Sequence, residues 1–168
     1  EQRGAAAEPR ADRLVAMRVG PGVWMVASGS LGASMSSPWD CNVYALRAGR
    51  RETWLIDAGV GHEPERIAAE LAADGIESVD KVLVTHGHLD HSGGAHYWRS
   101  RGAAVWASPL TALALERGDE DAIHLPMARR DGVYPADFHY TPCAVDRRIE
   151  PGETIEHEDL RLRVIAAQ

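Results

Sequence analysis

Three histidines and an aspartate fall within six residues directly after a short apolar run. The run, residues 79–84, has the length and composition of a buried β-strand, and the letters HGHLDH follow at 86–91. In extended backbone alternate side chains point the same way, so the imidazoles of His86 and His88 can reach one metal ion. The turn that follows can bring Asp90 and His91 to a neighbouring position. The segment therefore predicts a metal site at the end of a strand.

The donor types narrow the choice of metal. Imidazole and carboxylate ligands suit Zn²⁺, with bonds of about 2.0–2.2 Å, and they also suit iron and manganese. Gly87, Gly93 and Gly94 carry no Cβ, so the backbone is expected to fold tightly around the ions and into the next helix. A surface loop that happens to contain histidines is the alternative, which the spacing and the preceding strand disfavour.

The rest of the chain alternates strands and helices, which predicts an α/β fold in a single domain. Strands are expected at 14–19, 23–27, 41–48, 53–56, 79–84, 104–107, 145–149, 154–157 and 160–165. Helices are expected between Pro64 and Gly75, at 94–100 and at 109–117, and loops at 28–40 and 119–142. Residues 1–13 are interpreted as a flexible tail, and residues 14–168 as the domain.

Composition limits the function classes. The 168 residues carry a net charge of −7, which argues against nucleic-acid binding, and no apolar run reaches the ~18 residues of a membrane span. The two cysteines, Cys41 and Cys143, have no CxxC partner, so a zinc ribbon is excluded; they are interpreted as unpaired thiols, with one long-range disulfide left open. Cytoplasmic location is the default expectation, with a secreted mature form as the alternative.

The histidine segment is similar to the metal-binding motif of the metallo-β-lactamase-fold hydrolases. The letters LIDAG at 55–59 resemble the family's strand-end aspartate motif, with Ala58 where threonine is common. Residues 150–166 resemble the strand pair that precedes the family's next histidine motif. The resemblance implies an αβ/βα sandwich, of which this chain holds the N-terminal half and the start of the second half.

The same resemblance implies a ligand set. His86 and His88 would bind a first metal, Asp90 and His91 a second, and Asp57 would hold the metal loop by hydrogen bonds. The family's third histidine, bridging aspartate and last histidine would fall beyond Gln168, so the domain is expected to be incomplete at its C-terminus. We therefore expect the 168-residue chain alone to bind metal weakly and to be a poor catalyst.

Five further histidines are considered as metal ligands, and four tryptophans as residues that line a pocket. His62, His96, His124, His139 and His157 are candidate ligands, but a surface or substrate-side role is favoured for His124 and His139, and a plain strand position for His157. For Trp24, Trp39, Trp98 and Trp106, packing is favoured over a place in a pocket.

The resemblance implies hydrolysis of a small ester, thioester, lactone or β-lactam by a metal-bound hydroxide, with one or two zinc ions. Two metals about 3.5–4 Å apart would share that hydroxide. Asp90 would also act catalytically, by orienting the hydroxide and relaying its proton. One alternative is a mononuclear iron oxidoreductase of the persulfide-dioxygenase type. Another is a catalytically incomplete fragment that forms homo-oligomers through an open, apolar sheet face.

Overall fold

The computed structural model describes residues 16–166, which form one seven-stranded sheet, a separate hairpin and five helices. The predicted tail at 1–13 lies outside the described residues, as do Leu14 and Val15 of the first predicted strand. The sheet strands run in chain order: β1 Met17–Gly20, β2 Val23–Ala27, β3 Val43–Ala48, β4 Glu52–Ile56, β5 Lys81–Val84, β6 Ala104–Ala107 and β7 Arg147–Arg148. The strands β1 to β4 are antiparallel and β4 to β7 are parallel. The predicted α/β class is confirmed.

The helices occupy the connections of the parallel part of the sheet. They are α1 Pro64–Ala73, α2 Leu89–Ser92, α3 Ala95–Ser100, α4 Pro109–Arg117 and α5 Leu125–Arg130. The ends of α4 show why the sequence forms a helix there. The hydroxyl of Ser108 accepts from the backbone N–H of Thr111, and Gly118 ends the helix in the left-handed conformation with φ 65°. Among residues 16–166, no helix is both long and apolar enough to cross a bilayer.

The main core lies between the sheet and these helices. Successive strand residues face opposite sides, so Val82 and Val84 of β5 point to the helices while Leu83 points away. On the helix side they meet Leu71 of α1 and Leu115 of α4, both essentially inaccessible to solvent. This layer fixes the end of β5, and with it the segment at 86–91.

A second, smaller cluster lies on the other face of the sheet. The hairpin of β8 (Thr154–His157) and β9 (Leu160–Arg163) packs there against Trp54 and Leu83. Lys81 lies over the ring of Trp54, with its ammonium 4.6 Å from the ring centroid, and pairs with Glu52. Part of the face expected to be open is therefore covered by the chain's own hairpin.

Residues 119–142 differ most from the sequence prediction, because this expected loop contains α5 and is tied by charged groups. Both guanidinium NH groups of Arg129 donate to the Glu120 carboxylate at 2.8 Å, and Arg129 Nε donates to the Phe138 carbonyl at 2.6 Å. Glu120 also accepts from the backbone N–H of Tyr140 at 3.2 Å. A bidentate ion pair of this kind holds the segment in a defined conformation, although its sequence has no hydrophobic periodicity.

Smaller differences concern the boundaries of elements. The strand expected at 41–48 begins at Val43, and the one expected at 145–149 is reduced to the two residues of β7. In α1, Ile67 and Leu71 are buried as the helical spacing predicted, whereas Ala72 is exposed.

We predict that Leu115→Ala destabilises the fold by about 2–5 kcal/mol, because it opens a cavity where the side chain is wholly buried. The matched control is Leu110→Ala on the same helix, where the leucine is 79% exposed, and we expect it to change stability by less than about 0.5 kcal/mol. Urea unfolding followed by circular dichroism measures both, and equal losses would contradict the packing described.

The Glu120–Arg129 pair predicts a pH dependence. The hydrogen bond from Arg129 lowers the pKa of Glu120 below the ordinary glutamate value of 4.5, so the stability that the pair contributes is present above pH 4.5. That contribution is lost as the pH falls through the lowered pKa. We therefore expect Glu120→Gln to lower the urea midpoint at pH 7 and to have little effect near pH 3. An equal loss at both pH values would show that the charge is not what stabilises the segment.

Candidate metal centre

The predicted metal segment begins where β5 ends. Residues 85–88 leave the strand in a short loop, and α2 carries Asp90 and His91. Asp57 follows β4, the parallel neighbour of β5, and its N–H donates to the Leu83 carbonyl at 2.9 Å. The carboxyl ends of parallel strands lie at one edge of a sheet, which is where α/β proteins place their ligands. Strand pairing thus brings Asp57 beside the histidines.

The three imidazoles form a compact group. The ring centroid of His86 lies 4.7 Å from that of His88 and 4.1 Å from that of His91. The closeness of His86 and His88 agrees with alternate side chains that share a direction. His86 and His88 are exposed while His91 is half-buried, so the group opens to solvent.

Asp57 is the buried anchor of this group. One carboxylate oxygen accepts from the backbone N–H of Thr85 at 2.8 Å and from its hydroxyl at 2.9 Å. The other lies 2.7 Å from Nδ1 of His91. Nδ1 of His91 therefore faces Asp57, and its other ring nitrogen, Nε2, lies 3.3 Å from Oδ2 of Asp90, where a metal ion would take the place of its proton.

The carboxylates on either side of His91 set its electrostatics. Burial disfavours an imidazolium, but hydrogen bonds to Asp57, Asp90 and Cys41 outweigh it and raise the pKa of His91 to about 12. Burial also opposes the charge of Asp90, yet its pKa is lowered by the hydrogen bond and positive charge of His91. The pKa of His86 is lowered, by burial first and then by the positive charge of its two neighbouring histidines. The carboxylates of Asp57 and Asp90 therefore lie on either side of the imidazole of His91, which carries the positive charge.

The glycines after the motif allow two backbones to touch. A Cβ on Gly93 would collide with the carbonyl oxygen of Val60, and one on Gly94 with that of Ala58. The N–H of Ala58 donates to the His91 carbonyl at 2.8 Å across the same contact. Gly87 differs from the expectation, because a Cβ there would meet nothing closer than a methyl group at 3.9 Å.

Cys41 is a site residue that the sequence analysis missed. Its sulfur, a carboxylate oxygen of Asp57 and a ring nitrogen of His91 lie within 4.8 Å of one another. These three side chains could together hold a metal ion, so Cys41 belongs to the candidate site although it lies outside the motif at 86–91. Cys41 and Cys143 are both free, so the disulfide left open by the sequence is not formed.

The other five histidines lie at several different places in the fold. His124, in the left-handed conformation at φ 59°, lies with its ring centroid 5.7 Å from that of His88. His157 packs on Trp54, as expected for a strand residue. His139 lies by Glu120 with its side chain 76% exposed, and His96 lies exposed on α3. His62 contacts the ring of Trp39 at 5.0 Å.

A pocket of about 520 Å³ opens beside Asp90. Its walls come from residues 30–42 and from Val133 and Tyr134. Trp39 lines this pocket, whereas Trp24 and Trp98 pack against the main core and Trp106 against the smaller cluster. Trp39 also packs against the main core, so the packing expected for the four tryptophans is found, and Trp39 takes a place in the pocket as well.

Comparison with known proteins identifies the family. The family model of the metallo-beta-lactamase superfamily matches residues 36–167. The chain belongs to the metallo-beta-lactamase superfamily. Proteins of this fold family bind metal ions, and the chain's imidazole and carboxylate donors suit such ions.

Two curated relatives are similar over short stretches. A mitochondrial hydroxyacylglutathione hydrolase from Saccharomyces cerevisiae is 44% identical over 45 residues, which are 27% of this chain and 15% of that protein. An atrochrysone carboxyl ACP thioesterase from Aspergillus fumigatus is 45% identical over 60 residues, or 34% of this chain and 19% of that protein.

Solved metallo-beta-lactamases share the fold over most of the chain. A structure from Cronobacter sakazakii superposes with a TM-score of 0.67 at 22% identity, covering 90% of this chain and 53% of that one. FEZ-1 from Legionella gormanii gives 0.64 at 17% identity, covering 84% and 48%. The chain thus spans about half the length of these superfamily structures and a smaller share of the curated relatives.

The Asp57 anchor yields a prediction for metal binding. Asp57→Asn removes the charge that orients His91, so we expect zinc affinity to fall by about 10–100-fold. The control is Asp80→Asn, since Asp80 also accepts a backbone N–H, from Thr53 at 2.8 Å, but at the opposite end of β4 and β5. Competition with a chromophoric chelator measures both affinities. Equal affinities would contradict the role given to Asp57, provided that circular dichroism shows both variants folded.

Proposed function

We propose that the chain is the metal-binding part of a zinc-dependent hydrolase that acts on a small ester, thioester, lactone or β-lactam. His86 and His88 hold a first metal ion, and Asp90 and His91 hold a second. The observation that carries the proposal is the group of three imidazoles, in which the His86 ring centroid lies 4.7 Å from that of His88 and 4.1 Å from that of His91, beside two carboxylates of which Asp90 lines an open pocket.

Each side chain then has a distinct task. When bound, Zn²⁺ supplies a Lewis acid and lowers the pKa of a coordinated water toward about 7. Asp57 keeps the proton of His91 on Nδ1, so that Nε2 faces the site. Asp90, with its Oδ2 3.3 Å from Nε2 of His91, orients the attacking water and accepts its proton. The pocket beside Asp90 receives the rest of the substrate.

The names of the two curated relatives support the reaction class. One is a hydrolase and the other a thioesterase, and the matched stretches carry the similarity to this chain. They support hydrolysis of an acyl bond and leave the choice among esters, thioesters, lactones and β-lactams to experiment.

The ligand assignment is tested by cobalt titration, since Co²⁺ in a zinc site gives visible absorption that reports its ligands. We expect His86→Ala to weaken cobalt binding at least tenfold and to change the spectrum, because it removes one imidazole. The control is His96→Ala, because His96 is exposed on α3, a few residues away. Identical spectra and affinities for the two variants would overturn the assignment.

The reaction class is tested on the zinc-loaded chain with a chromogenic ester, thioester, lactone and β-lactam. We expect slow turnover of at least one class that chelator abolishes, because only four proposed ligands, His86, His88, Asp90 and His91, would share two metal ions. Iron bound at one per chain, together with oxygen consumption on glutathione persulfide, would replace the hydrolase by the oxidoreductase alternative. Metal-independent turnover, or none, would contradict the proposal.

A further inference from the structure

The thiol of Cys41 lies among metal-binding side chains from two other parts of the chain. Its sulfur belongs to the group with a carboxylate oxygen of Asp57 and a ring nitrogen of His91, all within 4.8 Å of one another. Cys41 and His91 also share a side-chain hydrogen bond. Cys41 precedes β3, Asp57 follows β4 and His91 lies on α2, so the fold brings three different kinds of metal-binding donor to one place.

The backbone holds Cys41 in this position. Its N–H donates to the carbonyl oxygen of Asp90 at 3.3 Å, which ties the residue to α2. The preceding Asp40 accepts from a backbone N–H of the segment after β4 at 2.8 Å, and the following Asn42 accepts from the hydroxyl of Ser28 at 2.7 Å. The sulfur therefore approaches the site from a fixed loop, and a donor already in place loses little conformational entropy when it binds.

The distances suit one metal ion that is shared by several protein donors. Oδ2 of Asp90 lies 3.3 Å from Nε2 of His91, close to the roughly 3.4 Å that separates two such donors on a tetrahedral zinc ion. A sulfur and a nitrogen on the same ion would lie roughly 3.6 Å apart, so the sulfur of Cys41 needs to approach His91 by about 1 Å at most. A rotation about the Cα–Cβ bond of Cys41 is enough for a shift of that size.

Cys41 can be reached from solvent, whereas Cys143 cannot. Cys41 is half-buried and lines the open pocket beside Asp90. Cys143 is 2% exposed in the main core, where its sulfur donates to the carbonyl oxygen of Ala144 at 3.5 Å. An incoming ion therefore meets the thiol of Cys41, and the chain's other cysteine supplies a control of the same residue type in a different setting.

We infer that Cys41 is a thiolate ligand of the metal ion that Asp90 and His91 hold. The inference rests on the proposed function, because it adds a donor to the second of the two proposed ions. That ion then has three protein ligands, the number found in catalytic zinc sites whose fourth position is open. When the ion binds, the thiol proton leaves to solvent and the sulfur donates a lone pair to the ion, with no change of oxidation state.

A thiolate narrows the choice of metal that imidazole and carboxylate donors leave open. Soft sulfur ligands favour zinc, whereas manganese prefers oxygen ligands. Cys41 would therefore act as a residue that selects zinc over manganese at the ion held by His91, while the ion held by His86 and His88 gains nothing from it.

The test is a cobalt titration of the reduced 168-residue chain, since a thiolate bound to Co²⁺ gives a sulfur-to-cobalt charge-transfer band in the near ultraviolet. We expect the parent chain to show this band. Cys41→Ser should abolish it and weaken the binding of that ion by about tenfold or more, whereas Cys143→Ser should retain both the band and the affinity. A parent chain that binds cobalt without the band, or a band that survives in Cys41→Ser, would overturn the inference.

A comparison of two metals distinguishes a ligand from a residue that only supports the loop. Cys41→Ser should lower the affinity for zinc by about tenfold or more and that for manganese by less than about threefold, because only zinc gains from a soft donor. Competition with a chelator measures zinc, and the electron paramagnetic resonance of the free ion measures manganese. Equal losses for the two metals in Cys41→Ser, and again in Cys41→Ala, would assign Cys41 a structural role and overturn the inference.

The cobalt titration of His86→Ala separates this inference from the proposed function. His86 is assigned to the first ion, so the sulfur band should persist in this variant although the visible spectrum changes. Cobalt binding that depends on His86 but never gives a sulfur band would reject the inference alone. A sulfur band that depends on Cys41, found together with identical spectra and affinities for His86→Ala and His96→Ala, would reject the proposed ligand assignment and retain Cys41 as a ligand.

Discussion

The hydrogen bonds of the Asp57 carboxylate are the contact on which the candidate site depends. They join the end of β4 to the loop that leaves β5, through the backbone and hydroxyl of Thr85 and the ring of His91. A buried carboxylate without such partners would be costly, so these hydrogen bonds favour the position that the loop takes in the fold. Because β4 and β5 pair, Asp57 lies beside His91 and fixes the orientation of its ring. The close backbone contacts at Gly93 and Gly94 also fix the position of α2, which carries His91.

The main elements of the fold follow from local patterns. A few neighbouring residues are enough to predict each of these local structures. They are the strand before His86, the turn at Gly20-Pro21-Gly22, and the ends of α4 at Ser108 and Gly118. The convergence of the motif histidines belongs to the same class, because the spacing within one strand and one turn determines it. These features agree with the structure because each is determined by a short stretch of sequence.

What the sequence analysis missed depends on contacts between distant segments. Cys41 reaches Asp57 and His91 only because β3 begins next to the end of β4, and Trp39 meets Tyr134 across almost a hundred positions of chain. The order of residues 119–142 comes from the pairing of Arg129 with Glu120, and charged pairs have no periodicity. The left-handed His124, which begins α5 beside His88, gave no signal beyond being a histidine in an apparent loop.

Burial changes steadily across the site, and the change matches the tasks of the residues. Asp57 is buried, His91 and Asp90 are intermediate, and His86 and His88 are exposed. The buried end can hold one geometry because its hydrogen bonds are shielded from water, while the exposed end leaves ring nitrogens accessible to an incoming ion. The pocket opens on the intermediate part of this series, at Asp90. Asp90 therefore belongs both to the proposed metal ligands and to the pocket wall, so a molecule in the pocket would lie directly beside the proposed metal site.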